Sequence, residues 1–199
     1  MNEKTFLSTF HLPWAAGPAH DFPYPIESRP AAVLICLQPP FDDLQVLFTE
    51  RASHLTHHAG QISFPGGKYE QSDDGLIATA LREAEEEIGL NANDVRILGT
   101  LPEYKTISGF TVLPVVGILD QCLCLDKDLN IDRNEVSRVF QVPLAHLMNK
   151  SQYFTHEVKR KNYSFPVYFI QYENDVIWGA TAGMTAALCK HFDAYKHIR

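Results

Sequence analysis

Three glutamates, Glu83, Glu86 and Glu87, stand at i, i+3 and i+4 in the run Arg82-Glu83-Ala84-Glu85-Glu86-Glu87-Ile88-Gly89-Leu90. In a helix these positions share one face, so three carboxylates converge within about one turn. Like charges at that spacing repel. They also crowd the C-terminal half of the helix, where the macrodipole favours cations, and Glu85 adds a fourth charge. A hard divalent cation resolves the conflict, since Mg²⁺ or Mn²⁺ takes carboxylate oxygens. Upstream, Phe64-Pro65-Gly66-Gly67 puts two glycines where backbone can approach a ligand closely. Glu83, Glu86 and Glu87, with a backbone oxygen from Gly66, are the expected metal-binding set. A solvated acidic face is the plain alternative.

The glutamates need a helix to carry them, and Gly75–Leu90 predicts one. Ser72, Asp73 and Asp74 supply a cap, and Gly89 a stop. At about 100° per residue, Ile77, Leu81, Ala84 and Ile88 form a core-facing stripe, with the glutamates roughly opposite. Residues 50–75 are non-periodic, carry His54, His57 and His58, and predict a long loop. Phe64 reads as an anchor of that loop in the core.

Around this centre, strands are expected at Ala31–Leu37 and Leu44–Thr49, paired through a turn at Gln38–Asp43. Further strands are expected at Arg96–Leu101, Thr111–Leu119 and Glu135–Val142. A short helix follows at Pro143–Asn149, then a hairpin of Tyr153–Val158 and Pro166–Tyr172, and a closing helix at Thr181–Tyr195. The mixture predicts an α+β or mixed α/β fold. Residues 1–30, with five prolines, read as an irregular N-terminal arm, and 31–199 as a single domain.

The composition suits a globular domain. The chain has 199 residues, 45% hydrophobic and 21% charged, with a net charge of −7. That acidic balance argues against a nucleic-acid binder, though a bound metal lets an acidic protein take anionic substrates. No apolar run is long enough to span a bilayer, and no signal peptide is expected at Met1–Phe10. Cys36, Cys122, Cys124 and Cys189 lack zinc spacing and predict reduced thiols in a cytoplasmic protein.

Arg82-Glu83-Ala84-Glu85-Glu86-Glu87-Ile88-Gly89-Leu90 resembles the second half of the Nudix box, REUxEExGU with U apolar, at every specified position. In the looser first half, Gly67 takes the family's glycine with the loop one residue longer. Asp73 or Asp74 stands in for its first Glu. Upstream, Thr49-Glu50-Arg51-Ala52 and Gly60-Gln61-Ile62-Ser63-Phe64-Pro65-Gly66-Gly67 resemble the signature of the coenzyme A pyrophosphatase branch, roughly LLTxRSxxxRxxxGxxxFPGG. Its second Arg falls on Thr56. Trp178-Gly179-Ala180-Thr181-Ala182 also looks like this branch. The resemblance spans about residues 31–190.

What the resemblance implies is a Nudix fold, a mixed β-sheet between helices. It also implies Mg²⁺- or Mn²⁺-dependent hydrolysis of a nucleoside diphosphate derivative. For coenzyme A the products are 4′-phosphopantetheine and 3′,5′-ADP. Another substrate, such as ADP-ribose or a nucleotide sugar, is the first alternative, and a non-catalytic Nudix-like binding module the second. Glu83 and Glu86 are then catalytic, and Arg82 orients a neighbouring glutamate. The general base is a box glutamate, Glu103 or Glu135. Arg51, Lys68, His58 and Gly67 are the expected substrate-binding residues, with His57 beside them. No nucleic-acid or membrane partner is expected, and a homodimer is left open.

Overall fold

In chain order the elements of this computed structural model are α1 (Glu3–Phe10), β1 (Ala19–His20), β2 (Arg29–Gln38), β3 (Gln45–Arg51), β4 (Ile62–Ser63), β5 (Gly66–Lys68) and α2 (Leu76–Ile88). Then come β6 (Val95–Thr100), β7 (Tyr104–Lys105), β8 (Phe110–Leu119), α3 (Leu125–Asp128), β9 (Val136–Pro143) and α4 (Leu144–Leu147). The chain closes with β10 (Tyr153–Arg160), β11 (Tyr163–Tyr172), β12 (Asp175–Trp178) and α5 (Ala180–Ala194). Residues 1–15, 19–20, 27–56, 58–160 and 163–196 are described.

Strand β2 is the spine. It runs parallel to β8 from Arg29↔Phe110 to Leu37↔Ile118, and antiparallel to β5 at Ala31↔Lys68, Ala32↔Gly67 and Val33↔Gly66. It meets β3 only at Leu37↔Val46 and Gln38↔Gln45, and β3 then pairs along its length with β9. Among the described residues nine strands join this mixed sheet, and β10–β11–β12 form a second, antiparallel one.

Side chains alternate across β2, so the large sheet buries both faces. Leu34 and Cys36 pack with Ala80, Ala84 and Ile88 of α2. Ile35 and Leu37 pack on the other face, in the cluster that holds Phe6 of α1, Leu188 of α5 and Ile170 of β11. A mixed sheet lies between helices, as expected.

Several expectations need correction. The arm of residues 1–30 is not irregular throughout. Asn2 caps α1 by accepting from the Thr5 N–H at 2.8 Å, and Phe6 is fully buried, stacked on Phe192. The 50–75 segment is not all loop, since β4 and β5 lie within it. Strands β1, β7 and β12 and helix α3 are additions to the expected elements, each only two to four residues long. Ile77 is 41% exposed. It shares a stripe with Ala84 but sits about two turns earlier, in the first turn, where the helix is no longer covered. No side chain caps α2, because Gly75 is its N-cap, at φ +86°. Gly89 does end it, in the left-handed conformation. Among the described residues no helix is long and apolar enough to cross a membrane.

Candidate active site

The acidic face of α2 is graded from water to core. The Glu86 side chain is 60% exposed and that of Glu87 is 5% exposed, with Glu83 between them. The three are therefore not uniformly opposite the apolar stripe. Glu87 lies two turns from Ala80, hence on the same line of the helix surface.

Arg82 organises the cluster. Its Nη1 donates to Glu86 Oε2 at 2.7 Å, and its Nη2 to Glu83 Oε1 at 3.1 Å and to the Lys68 carbonyl at 3.0 Å. Its Nε and Nη2 grip both oxygens of Asp73, at 2.7 and 3.1 Å. This pairing holds the Asp73 carboxyl well below the usual carboxylate range. Of the two aspartates that could stand for the family's first Glu, Asp73 is the one on Arg82. Its role is to anchor that arginine, not to cap the helix.

Glu87 has different partners. The Gly66 N–H donates to its Oε2 at 3.3 Å, and Arg51 Nη1 stands 3.9 Å from its Oε1. Burial dominates and pushes its carboxyl up to about 8, with repulsion from Glu83 and Glu135 adding to it. Glu83 is raised too, first by burial, against the opposing pull of Arg82. Glu135 is exposed but close enough for its charge to raise both carboxyls, and its backbone carbonyl accepts from the Ala52 N–H. Glu103 is exposed in the turn between β6 and β7, outside this cluster.

Among the described residues no three His, Cys, Asp or Glu side chains are gathered as a closed metal shell. Glu83 and Glu86 are turned to Arg82, and Glu87 to Gly66 and Arg51. The donor chemistry still suits a hard cation, because all three are carboxylates. The raised carboxyls of Glu83 and Glu87 reflect burial first, which favours the protonated form until a cation takes the proton's place.

Beside the cluster opens a cleft of about 270 Å³. Arg51, His58, Gly66, Gly67 and Lys68 all line it, so the structure brings Arg51, Lys68, His58 and Gly67, four of the residues expected to bind substrate, to one cleft. Phe64, the expected loop anchor, is buried against Phe48 and also reaches the cleft. His57 lies outside the described residues. Thr106 and Phe110 from the β7–β8 corner, Met184 from α5, and Gln61 were not singled out by sequence reasoning. Gln61 falls within the Gly60–Gly67 motif, and Ala180 and Thr181 within the Trp178–Ala182 motif.

A model of the NUDIX domain family matches residues 28–163. A protein of Shigella flexneri serotype 5b named uncharacterized Nudix hydrolase NudL is 39% identical over 165 residues, covering 82% of this chain and 83% of the relative. A protein of the same name from Escherichia fergusonii is 39% identical over 164 residues, covering 82% of each chain. The crystal structure of a MutT/nudix family protein from Enterococcus faecalis is similar with a TM-score of 0.50 and 15% identity, over 98% of this chain and 70% of that one, and shows the fold alone. The family match covers more than half of the chain and includes the arginine-centred carboxylates: the chain belongs to the Nudix family and is a pyrophosphohydrolase.

Proposed function

We propose that this enzyme hydrolyses the pyrophosphate of coenzyme A or its derivatives, releasing 4′-phosphopantetheine, or its acyl form, and 3′,5′-ADP. The observation that carries the reading is the position of Arg51. It belongs to the segment resembling the coenzyme A branch signature, it lines the cleft, and it reaches Glu87 of the acidic helix. Substrate cleft and carboxylate cluster thus share a residue.

Nudix hydrolases generally use divalent metal ions. Glu83, Glu86, Glu87 and the Gly66 carbonyl are proposed to hold Mg²⁺ or Mn²⁺ here. Such an ion supplies neutralisation of the pyrophosphate charge and a water of lowered pKa. The chain's own groups do the positioning. Arg51, Lys68 and His58 face the phosphate oxygens, with the Gly67 backbone leaving room for their approach. Arg82 fixes Glu83 and Glu86, and Glu86 or Glu135 accepts the proton of the attacking water. A cytoplasmic setting, in keeping with four free cysteines, is part of the proposal.

A second reading, hydrolysis of ADP-ribose or another nucleoside diphosphate derivative, is favoured by Thr56. It is exposed and stands where the branch signature has its second Arg. The test is hydrolysis of coenzyme A, ADP-ribose, NADH and a nucleotide sugar side by side with Mg²⁺, Mn²⁺ and EDTA, with products identified by mass. Release of 4′-phosphopantetheine clearly faster than the other products supports the first reading. Turnover of another substrate alone discards it.

A further inference from the structure

His58 and Gln61 meet in the wall of the cleft, where His58 Nδ1 lies 2.5 Å from Gln61 Oε1. An amide oxygen only accepts, so Nδ1 carries the proton. In the neutral ring Nε2 is then a bare acceptor, and it donates only when the ring takes a second proton.

The backbone fixes this arrangement. The Gln61 N–H donates to the His58 carbonyl at 3.0 Å, the Gly60 N–H to the Arg51 carbonyl at 3.1 Å, and the Arg51 N–H to the Gln61 carbonyl at 3.0 Å. His58 itself is held at φ +58°, a conformation uncommon outside glycine that persists where its surroundings impose it. The other end of the Gln61 amide faces the β12–α5 junction, where a β-carbon on Gly179 would stand 3.6 Å from Nε2.

We infer that Gln61 is a positioning residue that makes His58 a phosphate-binding group only in its cationic form. This rests on the proposed reading of the cleft as the pyrophosphate site. The charged groups that line the cleft with His58 are Arg51 from β3 and Lys68 from β5, and Glu87 of α2 stands 3.9 Å from Arg51. The α5 wall, Ala180, Thr181 and Met184, brings none. A phosphate oxygen approaching Nε2 meets a lone pair on the neutral ring and an N–H on the charged one. Anion binding at His58 therefore takes up a proton, and KM rises with pH as the ring's second proton is lost. Replacing Gln61 by a side chain that cannot accept frees Nδ1. The neutral ring then moves its proton to Nε2 and donates at any pH.

The test combines NMR of ¹⁵N-histidine-labelled full chain, with inorganic pyrophosphate as probe, and KM measured from about pH 5.5 to 8.5. Expected are the Nδ1–H tautomer in the free protein and a His58 midpoint raised by pyrophosphate. The midpoint rises less in Gln61→Leu. The KM slope is expected to flatten in Gln61→Leu and in His58→Gln, and to persist in Gln61→Glu, whose carboxylate still accepts from Nδ1. An Nε2–H tautomer, a midpoint indifferent to pyrophosphate, or a slope that survives in His58→Gln overturns the inference. Failure of metal-dependent turnover on every nucleoside diphosphate derivative overturns the reading of the cleft instead, and the pyrophosphate titration still decides the His58–Gln61 pair.

Discussion

Gly67 and Glu83 occupy one another's space: a β-carbon built on Gly67 would lie within the Glu83 carboxylate. Its neighbour Gly66 is confined differently, since a β-carbon there would meet the Ala32 carbonyl and Val33 Cα, and its φ is +153°. The two substitutions should therefore part. In Gly67→Ala the obstacle is the far end of a flexible side chain, so Glu83 swings aside. Stability should change by less than about 1 kcal/mol, while kcat/KM falls by roughly 100-fold as the carboxylate is displaced. In Gly66→Ala the obstacle is backbone, and a loss of roughly 3 kcal/mol is expected. Urea unfolding beside steady-state kinetics separates the two. Equal destabilisation by both would contradict the assignment of Gly67 to the site.

Asp73 is the anchor on which the geometry of Arg82 depends, and its side chain is only 3% exposed. Its folded-state carboxyl lies below the usual range, held there by the Arg82 hydrogen bonds. The resulting stability is present above the unfolded value, about pH 4, and erodes as pH falls below it. Asp73→Asn should cost about 1–2 kcal/mol at neutral pH. The gap between variant and wild type should narrow under acid. Denaturant midpoints at neutral pH and near pH 3 check this, and a gap that widens in acid would count against the pairing.

Much of the scaffold was legible because local rules and tertiary packing agree there. The part of β2 over Ala31–Leu37 is an uninterrupted apolar run and is buried on both faces. Helix α2 ends at Gly89 because only a left-handed residue closes it. The limits have equally local causes. Periodicity gives direction around a helix but not how far a sheet extends beneath it, so Ile77 was assigned to the core. Nor does it set how deep an edge position sinks, so Glu87 was placed with Glu86 though the two differ widely in exposure. Thr106, Phe110 and Met184 reach the cleft from elements distant in sequence, and no spacing rule joins them to Gly66. Aspartate before a helix is most often its cap, so sequence alone suggests that role for Asp73 beside its standing in for the family's first Glu. Its true partner lies nine residues on, across the loop.

Glu87 makes the metal-free protein sensitive to pH in the opposite sense from Asp73. Its carboxyl is pushed up to about 8 by burial, so the folded state holds a proton that the unfolded chain releases near pH 4. The associated stability is full below about pH 4 and is lost as pH rises through about 8. Glu87→Gln should remove that slope. A divalent cation can use Glu87 only after the proton leaves. Mg²⁺ or Mn²⁺ binding at neutral pH should then release about one proton in wild type and less in the variant. Calorimetry in two buffers of different ionisation enthalpy measures the release. Proton-neutral metal binding in wild type would remove Glu87 from the metal site.

Glu86 offers the cleanest separation of chemistry from folding. It is the most exposed of the three glutamates, and Arg82 donates to it at 2.7 Å across one helical turn. An exposed pair of this kind contributes little, so Glu86→Gln should alter stability by less than about 0.5 kcal/mol. The amide keeps the size of the side chain and can still accept from Arg82, but it has lost both the charge and the capacity to take a proton. If Glu86 helps to hold the cation or accepts the proton of the attacking water, kcat should fall by at least about 100-fold with substrate affinity little changed. Metal titration distinguishes the two roles. Rescue of turnover at high Mn²⁺ identifies a ligand, and a deficit that no metal concentration restores identifies the base. Turnover like that of wild type would take Glu86 out of the mechanism and leave Glu135, the other carboxylate near the cluster, to accept the proton.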